Sequence, residues 1–307
     1  MEKTPNRFAG IYTPIVTPFT ADSELDEKGL VRNVDHYLKS PLTGLVVLGS
    51  NGEAAQLDDE EADRAIAAVR AHVPRGRPLL AGTGRESTRA TIAASRRAAS
   101  LGVDAVMART PSFYKPQMTS DAFVQHYIEV ADACPVPVLL YNVTMYTGVN
   151  LLPDAVEKLS QHPNIAGLKD SGNDMLQLSD YLARARPGFT VFAGAAPTLF
   201  SAATLGVHGA VLALAGIVPD LCVKLFELAR AGQIAEGQAL QRTLMPLARS
   251  IGPIYGVPGL KAALDLLGLA GGVPRPPLRP VAPAAVETLR AQLVALGVGK
   301  EVHAASH

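Results

Sequence analysis

Lys169 closes the apolar run Ile165-Ala166-Gly167-Leu168 and is followed by Asp170, Ser171 and Gly172, which turn the chain. An apolar run of that length before a turn reads as a strand buried on both faces. The lysine then stands at the carboxyl end of the strand, where parallel α/β proteins keep their ligands. A desolvated lysine gives up its proton more easily and can attack a carbonyl to form a Schiff base. The competing reading is a solvated strand-end lysine paired with Asp170.

Tyr141 is the second candidate. It ends the apolar run 138–141, and in a barrel the strand it ends would lie beside that of Lys169, with axes roughly 5 Å apart. Schiff-base chemistry needs a group that moves protons during carbinolamine formation and bond cleavage. A phenol does this best when a neighbouring cation lowers its pKa. The competing reading is an amphipathic strand-end tyrosine with a satisfied hydroxyl. A third feature is Gly49-Ser50-Asn51-Gly52. Two glycines flank a hydroxyl and an amide at a strand-to-helix turn, whose open N–H groups form a nest suited to a small carboxylate. Such turns are also common without any ligand.

The elements that must position these residues alternate along the chain. Strands are expected at 10–16, 45–48, 78–82, 105–108, 138–141, 165–169, 190–193 and 209–214. Helices are expected at 26–38, 58–71, 87–101, 120–133, 153–160, 174–185, 197–205 and 220–231. Eight strand–helix pairs in sequence make an α/β fold of the (β/α)8 TIM-barrel type, residues 8–231. Residues 232–298 carry no strand signal. They read as a helical C-terminal extension packed on the barrel, with helices at 233–251, 257–268 and 283–296.

Composition narrows the function. Of 307 residues, 48% are hydrophobic and 18% charged, with a formal net charge of zero, which suits one large core. No basic excess points to nucleic acid or an anionic membrane surface. No apolar run approaches the roughly 18 residues of a membrane span, and residues 1–8 are too short and polar for a leader. Cys134 and Cys222 have no CxxC spacing and are expected to be reduced and buried, as in a cytoplasmic protein. The histidines lack HExxH or paired spacing, and His303 and His307 read as part of a solvated tail, so no metal is expected. No GxxxxGK[ST] or GxGxxG follows a strand, so no nucleotide cofactor is expected either.

Taken together, Gly49-Ser-Asn-Gly-Glu53, Thr110-Pro111 with Tyr114, Tyr141-Asn142 and Gly167-Leu-Lys-Asp-Ser171 resemble the dihydrodipicolinate synthase / N-acetylneuraminate lyase family. These are pyruvate-dependent class I aldolases. Tyr12-Thr-Pro-Ile-Val-Thr-Pro-Phe19 and Ala81-Gly-Thr-Gly-Arg-Glu-Ser-Thr88 share the likeness, which covers roughly residues 8–296. Within the family the sequence is most similar to the 4-hydroxy-2-oxoglutarate aldolases. Ser50-Asn51, Leu159-Ser-Gln-His-Pro-Asn-Ile165 and Gly256-Val-Pro-Gly-Leu-Lys261 carry that likeness.

The resemblance implies that Lys169 forms the imine and Tyr141 shuttles protons. It implies that Ser50 and Asn51 hold the pyruvate carboxylate and that Gly194 and Val211 line the imine pocket. It also implies a homotetramer in which the loop of Ser112, Phe113 and Tyr114 meets a neighbouring subunit. Three departures stand out. Phe113 occupies the position of a relay tyrosine of the synthase, with Tyr114 one place along and facing the other way in extended chain. Tyr146 replaces an arginine that holds the second substrate's carboxylate there, and a tyrosine cannot make that bidentate ionic contact. Thr144 stands where the family usually has proline. The expected activity is therefore cleavage of a 4-hydroxy-2-oxo acid to pyruvate and an aldehyde. A 2-keto-3-deoxy sugar acid aldolase, a synthase-like condensation and a non-catalytic 2-oxo acid-binding barrel are the alternatives.

Overall fold

Eight parallel strands close into a barrel in strict sequence order, β1 pairing with both β2 and β8. They are β1 (Gly10–Pro14), β2 (Gly44–Val47), β3 (Leu79–Gly82), β4 (Ala105–Arg109), β5 (Val138–Asn142), β6 (Ile165–Asp170), β7 (Thr190–Ala193) and β8 (Gly209–Val211). The computed structural model describes residues 6–298, so His303 and His307 lie outside the described residues. Helices α1 (Glu27–Tyr37), α2 (Asp59–His72), α3 (Thr88–Ser100), α4 (Ser120–Ala133), α5 (Thr144–Thr147), α6 (Pro153–Ser160), α7 (Met175–Arg184), α8 (Leu199–Leu205) and α9 (Pro219–Arg230) follow the strands. The chain then adds α10 (Ile234–Arg249), α11 (Gly256–Leu266) and α12 (Pro283–Ala295).

Several helices begin where short polar side chains can accept their free N–H groups. Asp26 caps α1 and Ser87 caps α3, while Asp58 and Glu61 form a reciprocal capping box on α2. The strands obey period two. Tyr12, Val46, Leu80, Leu139, Tyr141, Phe192 and Val211 fill the barrel interior, whereas Leu45, Val106, Leu140, Leu168 and Val191 face the helices. Closure at β1–β8 needs a residue without a side chain, because a Cβ on Gly209 would lie 2.0 Å from the Gly10 carbonyl oxygen.

Four stretches differ from the sequence expectation. β1 and β8 stop at Pro14 and Val211, and the apolar residues beyond β8 coil into a 3-10 turn, Ala213–Gly216. Hydrophobicity marks burial there, but these residues pack against β1 and α9 without continuing the strand ladder. The helix expected at 233–251 instead ends at Arg249 and runs into a π-helical turn, Ser250–Ile254. Pro253 has no N–H to give to the Arg249 carbonyl, and Tyr255 N–H donates to the Ser250 carbonyl at 2.9 Å. The short helix α5 was not expected at all.

The C-terminal extension is tied to the barrel by a buried charge cluster. Glu53, in the left-handed region with φ 53°, ends the turn after β2. Its carboxylate meets the Lys261 ammonium of α11 at 2.5 Å and accepts from the Arg275 N–H at 2.8 Å. Lys261 and Glu53 side chains are each only 1% exposed. Burial lowers the pKa of Lys261, and the Glu53 charge works against that. Lys261 also donates to the Val273 carbonyl at 2.9 Å, and the Arg275 guanidinium pairs with Glu61. Removing one partner of a buried ion pair costs about 3–5 kcal/mol, because the other charge stays behind in a dry site. Glu53→Gln and Lys261→Met should each destabilise the protein by that order in chemical denaturation. The double variant should lose less than the sum of the two, and strictly additive losses would show that the groups act independently.

Candidate active site

Tyr141 and Lys169 are direct register partners on β5 and β6. Both are buried, and the Lys169 Nζ lies 4.3 Å from the centroid of the Tyr141 ring. The phenol oxygen lies 3.2 Å from Ser50 Oγ and is also hydrogen-bonded by Ser171 and Lys169. Burial pushes the phenol pKa up. The Lys169 charge and those three hydrogen bonds outweigh it, so Tyr141 ionises below the range of an ordinary tyrosine.

No carboxylate pairs with Lys169 among the described residues. Its sequence neighbour Asp170 points to the opposite face of the strand, as period two requires. There Asp170 accepts from Asn142 Nδ2 at 2.8 Å. Asn142 Nδ2 also donates to Asn150 at 2.9 Å, and its Oδ1 accepts from the Leu151 N–H at 3.1 Å. This network clamps the ends of β5 and β6 from outside and leaves their inward side chains to each other. Burial raises the Asp170 pKa, partly offset by Asn142 and the Gly172 N–H.

Ser50 and Asn51 open a 3-10 turn, Ser50–Gly52, after β2. Gly52 and Glu53 N–H groups are used within it, donating to Gly49 and Ser50 carbonyls. The N–H groups of Ser50 and Asn51 precede them and have no backbone partner among the described residues. Glu53 fixes the far end of the turn through Lys261, and Thr17 Oγ1 donates to the Gly52 carbonyl at 2.7 Å.

A cavity of about 560 Å³ stands over the barrel mouth. Ser50, Asn51, Tyr141, Lys169, Gly194 and Val211 form its floor. Gly194 has to lack a side chain: a Cβ there would lie 2.9 Å from Lys169 Cε and 2.2 Å from Ser171 Oγ. Tyr146 lines one wall, and burial together with the nearby Tyr141 charge raises its phenol pKa. The C-terminal extension adds Met245, Arg249 and Gly252 to the lining.

Phe113 and Tyr114 do not line this cavity. They are 77% and 68% exposed on the loop after β4. Glu86 shapes that loop, accepting from the Ser112 and Phe113 N–H groups at 2.8 Å each and pairing with Arg109 at 2.7 Å. Sequence reasoning missed Ser171, Arg249 and the Glu53–Lys261 support. Ser171 could have been found from its position two residues past Lys169, on the inward side. Arg249 gave no local signal. Among the described residues no group of three His, Cys, Asp or Glu side chains is placed to hold a metal, and no helix is long and apolar enough to cross a membrane.

Residues 7–296 match the Dihydrodipicolinate synthetase family. The chain is 35% identical to 4-hydroxy-tetrahydrodipicolinate synthase of Methanoculleus marisnigri, over 94% of this chain and 99% of that one. It is equally 35% identical to a probable mitochondrial 4-hydroxy-2-oxoglutarate aldolase of Emericella nidulans, with 91% of each chain covered. The crystal structure of YagE, a prophage protein of the dihydrodipicolinic acid synthase family from E. coli K12 in complex with pyruvate, superposes with TM-score 0.88. That pair is 32% identical, with 95% of this chain and 99% of the other covered. Sequence and fold therefore agree along nearly the whole length, and the chain belongs to the dihydrodipicolinate synthetase family as an enzyme of its pyruvate-dependent class I aldolase type.

Proposed function

We propose that the enzyme cleaves a 4-hydroxy-2-oxo acid, such as 4-hydroxy-2-oxoglutarate, to pyruvate and an aldehyde. The observation that carries this reading is the buried Tyr141–Lys169 pair on the cavity floor, free of any carboxylate. In this scheme the neutral Lys169 amine attacks the 2-oxo carbon, and the carbinolamine loses water to give an iminium. Tyr141, as phenolate, takes the proton of the 4-hydroxyl. The C3–C4 bond breaks, its electrons flow to the iminium nitrogen, and the aldehyde leaves. Tyr141 returns the proton to C3 of the enamine, and water hydrolyses the imine to release pyruvate. The turn of Ser50 and Asn51 holds the 1-carboxylate. The imine serves as electron sink, so neither metal nor organic cofactor enters the scheme.

Synthase chemistry is the second reading, favoured by the name of the Methanoculleus relative. The neutral, protonated Tyr146 on the cavity wall weighs against it, since the resembling synthases use an arginine at that place. The assembly we propose is a homotetramer. The exposed Phe113 and Tyr114 rings, packed edge to face at 5.1 Å, are the surface a second copy would cover.

Borohydride added with pyruvate should trap one adduct per chain, at Lys169. Lys169→Ala and Lys169→Arg should lose both adduct and turnover, since guanidinium does not deprotonate in a protein. In a panel scored by pyruvate release, short 4-hydroxy-2-oxo acids should outrun 2-keto-3-deoxy sugar acids. An adduct at another lysine sinks the mechanism, and a preference for six-carbon or longer acids sinks the substrate reading.

Tyr141→Phe should lower turnover about 10²–10⁴-fold. Hydrogen-bond donors to a phenolate lower its pKa, so losing one raises it. Ser50→Ala should therefore move the rise of kcat/KM with pH to higher pH. A limb that stays in place would assign that ionisation to another group. Sedimentation should show a tetramer, and an active monomer at micromolar concentration would contradict the assembly.

A further inference from the structure

Among the described residues, the cavity over Lys169 carries two cations and no carboxylate. Lys169 is one and Arg249, the last residue of α10, is the other; no Asp or Glu lines the space. Other arginines around this end of the barrel are engaged, Arg109 with Glu86 and Arg275 with Glu61. Arg249 is exposed and makes no side-chain hydrogen bond or ion pair among the described residues. It stands where α10 gives way to the π-helical turn of Ser250–Ile254, and Ile251, Gly252 and Pro253 of that turn line the same cavity. Turns of this kind gather at functional sites.

We propose that Arg249 binds a second carboxylate of the substrate, one attached to carbon 4, so that the site selects 2-oxo dicarboxylates. This rests on the reading above, in which the 2-oxo carbon sits at Lys169 and the 1-carboxylate in the Ser50–Asn51 turn. The assignment follows from what each group has left to give. The Lys169 nitrogen is consumed by the imine. The Ser50 and Asn51 N–H groups are taken by the first carboxylate. Tyr146 stays protonated and can offer one hydrogen bond but no charge. The Arg249 guanidinium presents a planar fork of donors that matches a carboxylate bidentately. It lines the cavity from the C-terminal extension, as Tyr146 does from the connection after β5.

The test compares 2-oxoglutarate with 2-oxopentanoate, which has a methyl group in place of the second carboxylate, by calorimetric titration. Charge-assisted hydrogen bonds predict that the protein binds 2-oxoglutarate about 10–100-fold more tightly. Arg249→Met should collapse that ratio to near one, and Arg249→Lys, which keeps the charge and loses the fork, should retain part of it. A ratio near one in the unaltered protein overturns the proposal, as does an unchanged ratio in either variant that keeps its near-ultraviolet circular dichroism. Tighter binding of a 2-keto-3-deoxy sugar acid 6-phosphate than of 2-oxoglutarate overturns the carboxylate assignment in favour of a phosphate. The titration needs no turnover, so it decides Arg249 separately from the borohydride experiment: a missing adduct at Lys169 overturns the aldolase reading alone.

Discussion

A lysine left without a carboxylate is the constraint on which the barrel mouth depends. Three acidic side chains lie close enough in sequence or space to neutralise this end, and each is committed elsewhere. Asp170 is turned outward by strand alternation and held by Asn142. Glu53 is locked between Lys261 and the Arg275 N–H. Glu86 is spent on Arg109 and on two N–H groups of the loop after β4. The outcome is a cavity with a cationic lining, into which an anionic 2-oxo acid can carry its charge without displacing a protein partner.

The C-terminal extension belongs to this site as much as the strands do. It enters twice. Lys261 of α11 reaches under the turn after β2 and pins its left-handed last residue, a conformation that costs a non-glycine residue about 1–2 kcal/mol by itself. The π-helical turn after α10 supplies Ile251, Gly252 and Pro253 to the cavity lining. A barrel ends in loops that are individually mobile. Here a buried ion pair couples one of those loops to a packed helix, which holds the Ser50 and Asn51 N–H groups in place.

Much of this arrangement was legible in the sequence because it obeys short periods. Apolar runs of about five residues alternating with amphipathic helices give the barrel, and period two within the run ending at Lys169 sends that lysine inward with Tyr141 opposite. The same period argues against the alternative pairing of Lys169 with Asp170, since strand neighbours face opposite sides. What the sequence hid has no local period. The stop of β8 at Val211 depends on which neighbour covers Leu214, and the π-helical turn depends on the missing N–H of Pro253. Arg249 lies on a helix whose angle over the barrel is a tertiary outcome. Glu53 could be read as part of a glycine-rich turn, but its partner stands in another region of the chain.

Two tyrosines in the same barrel interior show how finely the site separates burial from reactivity. Tyr12 and Tyr141 both belong to the interior cluster. Burial and the Asp104 charge raise the Tyr12 phenol, whose oxygen has no hydrogen-bond partner among the described residues. Burial acts on Tyr141 as well, yet its pKa falls. The difference therefore lies in the partners at the carboxyl ends of the strands: the Lys169 cation and the hydroxyls of Ser50 and Ser171. Each stabilises the phenolate over the phenol, and each comes from a different βα connection or strand. A phenol with a lowered pKa is thus produced by the convergence of three chain segments at one end of the barrel, while the same residue type on β1 has its pKa raised by burial.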